Sequence, residues 1–68
     1  MSALRLTIVH TPDGWRIRAR RGLWGRFDYR VDAEEAALRL ARKARANGRE
    51  VEIWVQDRTG RLEGLNAA

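Results

Sequence analysis

The fold is decided by residues 4–20, which read LRLTIVHTPDGWRIRAR. Apolar and polar side chains alternate on both sides of Thr11-Pro12-Asp13-Gly14, and strict alternation is typical of strands with one buried face. Proline fixes one backbone angle of a turn and glycine supplies a positive one, so this tetrapeptide predicts a tight turn. Two alternating runs joined by such a turn predict a β-hairpin.

A helix is predicted after the hairpin. We expect it to begin at Asp32, whose carboxylate can accept from a free backbone N–H, with Glu35 reaching back to complete a capping box. It is expected to end near Ala46, because Asn47-Gly48 follows and glycine readily adopts the left-handed C-terminal cap. Alanines recur on one side of this segment at helical spacing, so that side can lie close against a sheet.

The remaining strands are less regular. Val51–Gln56 alternates again, a short strand is predicted at residues 61–63, and residues 26–31 are either a short third strand or an extended entry to the helix. The sequence therefore predicts one α+β domain over residues 1–68. It is an antiparallel β-sheet of about four strands in the order β-β-α-β-β, with one α-helix packed on one face. Residues 64–68 are expected to form a disordered tail.

The alternation assigns each side chain to a face of the sheet. The predicted core consists of Leu6, Ile8, Trp15, Ile17, Ala37, Leu40, Ala44, Val51, Ile53 and Val55. The opposite face is predicted to carry Arg5, Thr7, Arg16, Arg18, Arg20, Glu50, Glu52, Trp54 and Gln56.

Three motifs occur in a familiar order: Gly14-Trp15 after a turn, Asp32-x-x-Glu35-Ala36 at the helix start, and Val55-Gln56-Asp57-x-x-Gly60-Arg61-Leu62 near the end. Together they resemble the DUF2188 family of small bacterial proteins, over about residues 6–62. The resemblance implies the strand–strand–helix–strand–strand order. That family has no established activity, cofactor or partner, so the resemblance implies no functional residues.

Composition narrows the function classes. The chain has no cysteine, and its one histidine, His10, stands alone, so neither a nucleophilic site nor a metal centre is expected. Asp32 and Glu35 are explained by capping, which leaves few groups for acid–base chemistry. We expect no enzyme, no cofactor and no metal. No apolar run reaches the roughly 20 residues that cross a bilayer, and the N-terminus does not resemble a signal peptide, so a cytoplasmic protein without membrane contact is expected.

Two functions remain open. The first is a non-catalytic interaction module that forms a homodimer or binds a protein through a tryptophan-bearing surface or a sheet edge. The alternative is DNA or RNA binding by a basic sheet face, since the net charge is +5 and arginine neutralises phosphates. The candidate binding surface is Arg5, Arg16, Arg18, Arg20, Trp24 and Trp54.

Nucleic-acid binding has a compositional alternative. All but one of the basic residues are arginine, which a GC-rich genome supplies without selection for binding. Glu50 and Glu52 are predicted on the same face, where cross-strand ion pairs would keep the arginines solvated.

Overall fold

The computed structural model describes residues 3–65, which form five strands and one helix. The strands are Leu4–Thr11 (β1), Gly14–Ala19 (β2), Gly22–Phe27 (β3), Val51–Gln56 (β4) and Leu62–Gly64 (β5), and the helix is Arg30–Ala46 (α1).

All five strands belong to one sheet, in the order β3-β2-β1-β4-β5, and α1 contacts β1, β2, β3 and β4. The predicted α+β class with one helix on a sheet is confirmed. The sheet has five strands rather than about four, and it is mixed rather than antiparallel, because β4 pairs with β1 in parallel. The helix returns the chain from the end of β3 to the end where β1 begins, so β4 enters beside β1 in the same direction. Side-chain alternation is the same in both kinds of pairing and does not distinguish them.

The hairpin of β1 and β2 closes at Thr11, which pairs with Gly14. The Thr11 hydroxyl donates to the carbonyl of Gly14 at 2.8 Å and accepts from the amide of Asp13 at 3.2 Å. Gly14 has φ of +117°, and a Cβ there would lie 2.7 Å from the backbone oxygen of Phe27. Glycine is therefore required at this position by both its backbone angle and the approach of β3.

The third strand lies earlier than the predicted segment 26–31. Trp15 pairs with Phe27 and Ile17 with Trp24, so β3 carries one extra residue opposite Arg16 and forms a β-bulge. Gly25 lies in the bulge with φ of +69°. The bulge thus accommodates a glycine inside the strand.

The helix begins at Arg30, two residues before the predicted cap. Tyr29 is the N-cap residue, and no side chain within residues 3–65 caps the helix. Asp32 lies in the first turn, where its negative charge interacts favourably with the positive end of the helix dipole. The predicted end at Ala46 is confirmed. The amide of Arg49 donates to Ala44 and that of Gly48 to Arg45, which is the Schellman arrangement of a helix C-terminus.

The core lies between the sheet and the helix. Its buried members are Leu6, Ile8, Ile17, Ala33, Ala36, Ala37, Ala41, Val51, Ile53 and Val55. Of the predicted core, Trp15, Leu40 and Ala44 are only partly buried against this cluster. The buried positions of the helix are occupied by alanines, whose small side chains allow the helix to pack close to the strands.

The sheet face away from the helix, called the open face below, is covered at its centre. Thr7 lies on the central strand β1, with Arg18 beside it on β2 and Trp54 beside it on β4. These longer side chains leave only 7% of Thr7 exposed, and Val9 is equally buried. The prediction that Thr7 belongs to the open face agrees with this register, although the residue itself does not reach solvent.

The C-terminal segment continues the sheet beyond the predicted strand. Gly64 is the last residue of β5, and the amide of Leu65 donates to the carbonyl of Ile53 at 2.8 Å. Of the tail predicted over residues 64–68, residues 66–68 lie outside the described part of the chain.

Candidate functional site

Four arginines surround one pocket at the end of the sheet where β1 begins. The pocket has a volume of about 500 Å³, and its lining, which we call the arginine pocket, consists of Ala3, Leu4, Arg5, Arg18, Ala19, Arg20 and Arg49. It therefore gathers three of the predicted surface residues, Arg5, Arg18 and Arg20. Arg49 was not among them.

Arg5 lies on β1, and three other parts of the fold place the remaining arginines. Arg18 pairs with Thr7 in the β1–β2 ladder, which points its side chain to the open face. Arg20 lies in the two-residue turn that joins Ala19 to β3. Arg49 follows the Schellman cap, whose hydrogen bond to Ala44 turns the chain from the helix toward β4.

The charge of the pocket is only partly balanced. Arg5 forms an exposed ion pair with Glu52 across β1 and β4, with 3.4 Å between the two side chains. Within residues 3–65, the exposed side chains of Arg18, Arg20 and Arg49 form no ion pair with a carboxylate. The predicted neutralisation by cross-strand glutamates therefore applies to Arg5 and not to the other three. Guanidinium groups without carboxylate partners suit a planar, bidentate contact with phosphate.

Arg16 has a different environment from the other predicted arginines. Its Nε donates to the carbonyl oxygen of Gly25 at 3.0 Å, in a partly buried contact. The β-bulge leaves a position opposite Arg16 without regular ladder pairing, and the guanidinium provides the hydrogen bond there. We therefore assign Arg16 to the stability of β3 and not to the pocket.

Trp54 lies on the open face between β1 and β5. It pairs with Thr7 on one side and with Gly64 on the other. The guanidinium carbon of Arg5 lies 5.9 Å from the centre of its ring, within the range of cation–π attraction. Its indole Nε1 is buried and has no hydrogen-bond partner in the described chain. Trp54 is thus half-buried beneath an arginine rather than presented for stacking.

Trp24 lies on the other face of the sheet, since it pairs with the core residue Ile17. It is 37% exposed and lines a second depression of about 420 Å³ between the helix and the strand ends. This depression, called the apolar groove below, is lined by Leu4, Leu6, Ala19, Trp24, Leu40, Lys43, Ala44, Asn47 and Arg49. Leu4, Ala19 and Arg49 line both the groove and the arginine pocket.

A smaller pocket at the opposite end of the sheet, of about 280 Å³, is lined by His10, Gln56, Asp57, Arg58 and Gly60. His10 packs against Trp15, with 4.8 Å between the ring centres. Asp57 accepts from the amides of Thr59 and Arg61, and the Thr59 hydroxyl, which donates to it at 2.6 Å, holds the pKa of this carboxyl below its usual range. These hydrogen bonds organise the turn before β5.

Two negative findings concern residues 3–65. No three side chains among His, Asp and Glu come together there as metal ligands would. The helix found in that range lacks the length and apolar character needed to cross a bilayer.

Sequence reasoning missed Arg49 and Lys43 as members of this end of the molecule. The helix ending at Asn47-Gly48 contained a signal for Arg49, because the residue after a Schellman glycine leaves the helix axis. That signal becomes useful only once β4 is known to start beside β1, as the parallel pairing of Leu4 with Val51 establishes.

Comparisons of the chain with protein-family models, with curated proteins and with solved structures found no match. The resemblance to the DUF2188 family therefore stays a prediction.

Proposed function

We propose that this domain binds the phosphate backbone of nucleic acid through the arginine pocket. The observation that carries the proposal is the convergence of Arg18, Arg20 and Arg49 on one pocket, with no carboxylate partner for any of them within residues 3–65. Like-charged side chains brought together without a counter-charge raise the local positive potential, which attracts an anion.

Nucleic acid fits this surface better than a small isolated anion. The net charge of the chain is +5, and Arg21 follows Arg20 in the turn between β2 and β3. A polymer with one phosphate per nucleotide can contact several of these cations at once, and it gains affinity from each counterion released. An isolated phosphate would contact only the few arginines nearest to it.

Fluorescence anisotropy with a labelled 12-nucleotide oligothymidylate tests the proposal. Each phosphate contact to a single strand contributes about 0.7 to the slope of log affinity against log salt. The double variant Arg18→Gln, Arg20→Gln should therefore lower the slope by about 1.4.

The matched control is Arg58→Gln with Arg61→Gln, which removes the same charge from the turn before β5, at the opposite end of β4. This control should keep a slope close to that of the unsubstituted chain. Equal slopes for the two double variants would contradict a localised site, and no binding at about 50 mM salt would refute the proposed function.

A second candidate function is self-association through β3. This strand is at the edge of the sheet, and it exposes Leu23 and Trp24, which are 44% and 37% accessible. An edge strand with exposed apolar side chains offers unpaired backbone groups to a second copy. Light scattering after size-exclusion chromatography would then give about twice the chain mass of 7.8 kDa, and Leu23→Lys would restore the monomer. A mass of one chain at all concentrations up to about 1 mM would exclude this function.

A further inference from the structure

We propose that the apolar groove receives an unpaired nucleobase from the strand whose phosphates contact the arginine pocket. This inference rests on the proposed function and names the kind of nucleic acid that the domain takes, namely a single strand.

The apolar groove and the arginine pocket are continuous. Leu4, Ala19 and Arg49 line both of them, so Arg49 lies at their shared boundary. A nucleotide whose phosphate contacts Arg49 has its base attached within one sugar of that phosphate. The base therefore falls within reach of the groove without any rearrangement of the fold.

The side chains of the apolar groove suit a stacked base. Its walls are apolar, from Leu6, Leu40 and Ala44, and Trp24 adds a large aromatic surface that is more than one third exposed. Aromatic side chains bind bases of any sequence by stacking, because every base has a π-face. The small side chain of Ala44 keeps the groove open on the helix side.

The polar rim of the groove matches a base better than it matches an acyl chain or an apolar peptide. Lys43, Asn47 and Arg49 lie around the apolar walls, and no carboxylate from residues 3–65 lines the groove. An asparagine amide carries both donors and an acceptor, which can pair with the edge of a base. A base in a duplex is stacked and paired, so it cannot enter the groove unless it leaves the helix.

Anisotropy with two labelled strands of eight nucleotides tests the inference. One is oligothymidylate, and the other has the same number of phosphates but abasic sites in place of the bases. Stacking of one base on an aromatic side chain corresponds to about a 5- to 150-fold gain in affinity. The oligothymidylate should bind more tightly than the abasic strand by a factor in this range. Trp24→Leu should remove the difference by weakening only the oligothymidylate.

A second variant keeps the test decisive if Trp24→Leu does not fold, as judged by circular dichroism. Ala44→Leu fills the groove without removing a core side chain, and leucine is a good helix former. It should also lower the affinity of oligothymidylate to that of the abasic strand. Arg58→Gln, remote from the groove, should leave the ratio of the two affinities unchanged.

The outcomes separate this inference from the proposed function. If both strands bind the unsubstituted domain equally, phosphate binding stands and the base site is refuted. The same conclusion follows if Trp24→Leu or Ala44→Leu weakens both strands by the same factor. If neither strand binds, the proposed function itself is wrong, and the groove is then better explained as a protein-binding surface.

Discussion

The contrast between Arg16 and Arg18 gives the most informative prediction. Sequence alternation places both on the open face, but Arg16 donates to the carbonyl of Gly25 at 3.0 Å whereas Arg18 lines the arginine pocket. Arg16→Met keeps an aliphatic side chain and removes the donor. A hydrogen bond from a charged donor contributes about 1.5–3 kcal/mol, and the exposed edge position of β3 allows water to replace part of it. We therefore expect a loss of about 1–1.5 kcal/mol of unfolding free energy.

The magnitude can be measured as a melting temperature. For a domain of this size, 1 kcal/mol corresponds to about 4–8 °C. Arg16→Met should therefore melt about 4–12 °C below the unsubstituted chain. Arg16→Gln should melt close to the unsubstituted chain, because the amide nitrogen of glutamine is the same number of bonds from Cα as Nε of arginine. Thermal denaturation followed by circular dichroism gives these values.

The same variants separate stability from binding. Arg18→Met should leave the melting temperature within about 4 °C, because surface substitutions away from specific contacts are usually within about 0.5 kcal/mol. It should lower the salt slope for oligothymidylate by about 0.7. Arg16→Met should leave that slope nearly unchanged. Equal melting temperatures for Arg16→Met and Arg16→Gln would refute the role of Arg16 at the bulge, and an equal loss of slope for Arg16→Met and Arg18→Met would refute its separation from the pocket.

Three further predictions concern the scaffold. Gly14 and Gly22 both have a positive φ, of +117° and +124°, but only a Cβ at Gly14 would meet a backbone atom, at 2.7 Å. In urea denaturation, Gly22→Ala should lower the free energy of unfolding by about 1–3 kcal/mol, and Gly14→Ala should lower it by distinctly more. Equal losses would show that the close approach of β3 to Gly14 is unimportant. Thr59 holds the pKa of Asp57 in the folded state below the unfolded value of about 3.9. The ionised carboxylate therefore stabilises the fold above about pH 3.9, and this stabilisation is lost as the pH falls through the folded-state pKa. Asp57→Asn should lower the melting temperature at pH 7 but not near pH 2. Trp54→Phe removes an indole N–H that has no partner in the described chain, so the free energy of unfolding should fall by less than about 1.5 kcal/mol despite the smaller ring. A larger loss would mean that this N–H donates a hydrogen bond in solution.

Local patterns predicted the elements of this fold well where one physical signal dominated. The turn at Pro12-Asp13 and the helix end at Asn47-Gly48 were both assigned from residues whose backbone preferences are strong. The helix start was placed two residues late, because Asp32 is a good capping residue in isolation. In the folded chain the helix instead begins after Tyr29 without a side-chain cap.

The pairing of strands could not be predicted from the same patterns. β4 alternates in the same way whether its neighbour is parallel or antiparallel, and only the path of the chain through α1 decides between the two. The bounds of β3 could not be predicted, because a glycine such as Gly25 is expected in a loop as well as in a β-bulge. The bulge became recognisable only from the unequal spacing of Trp15–Ile17 and Trp24–Phe27.

The candidate site was likewise predicted only in part from the sequence. Alternation placed Arg5, Arg18 and Arg20 on one face, and the structure gathers them around the arginine pocket. Alternation could not show that Arg16 is used by a neighbouring strand, nor that Arg49 joins the others from beyond the helix. Both facts depend on contacts between elements that are distant in sequence.

The most direct test of nucleic-acid binding at the arginine pocket is a two-dimensional ¹H–¹⁵N NMR titration with a short oligothymidylate at about 50 and 200 mM salt. The account predicts that the amide signals of residues 18–20 and of Arg49 shift at the lower salt concentration and shift much less at the higher one. Signals of the turn at residues 57–61 should not move. An absence of shifts at the lower concentration, or shifts centred on that turn, would contradict the account.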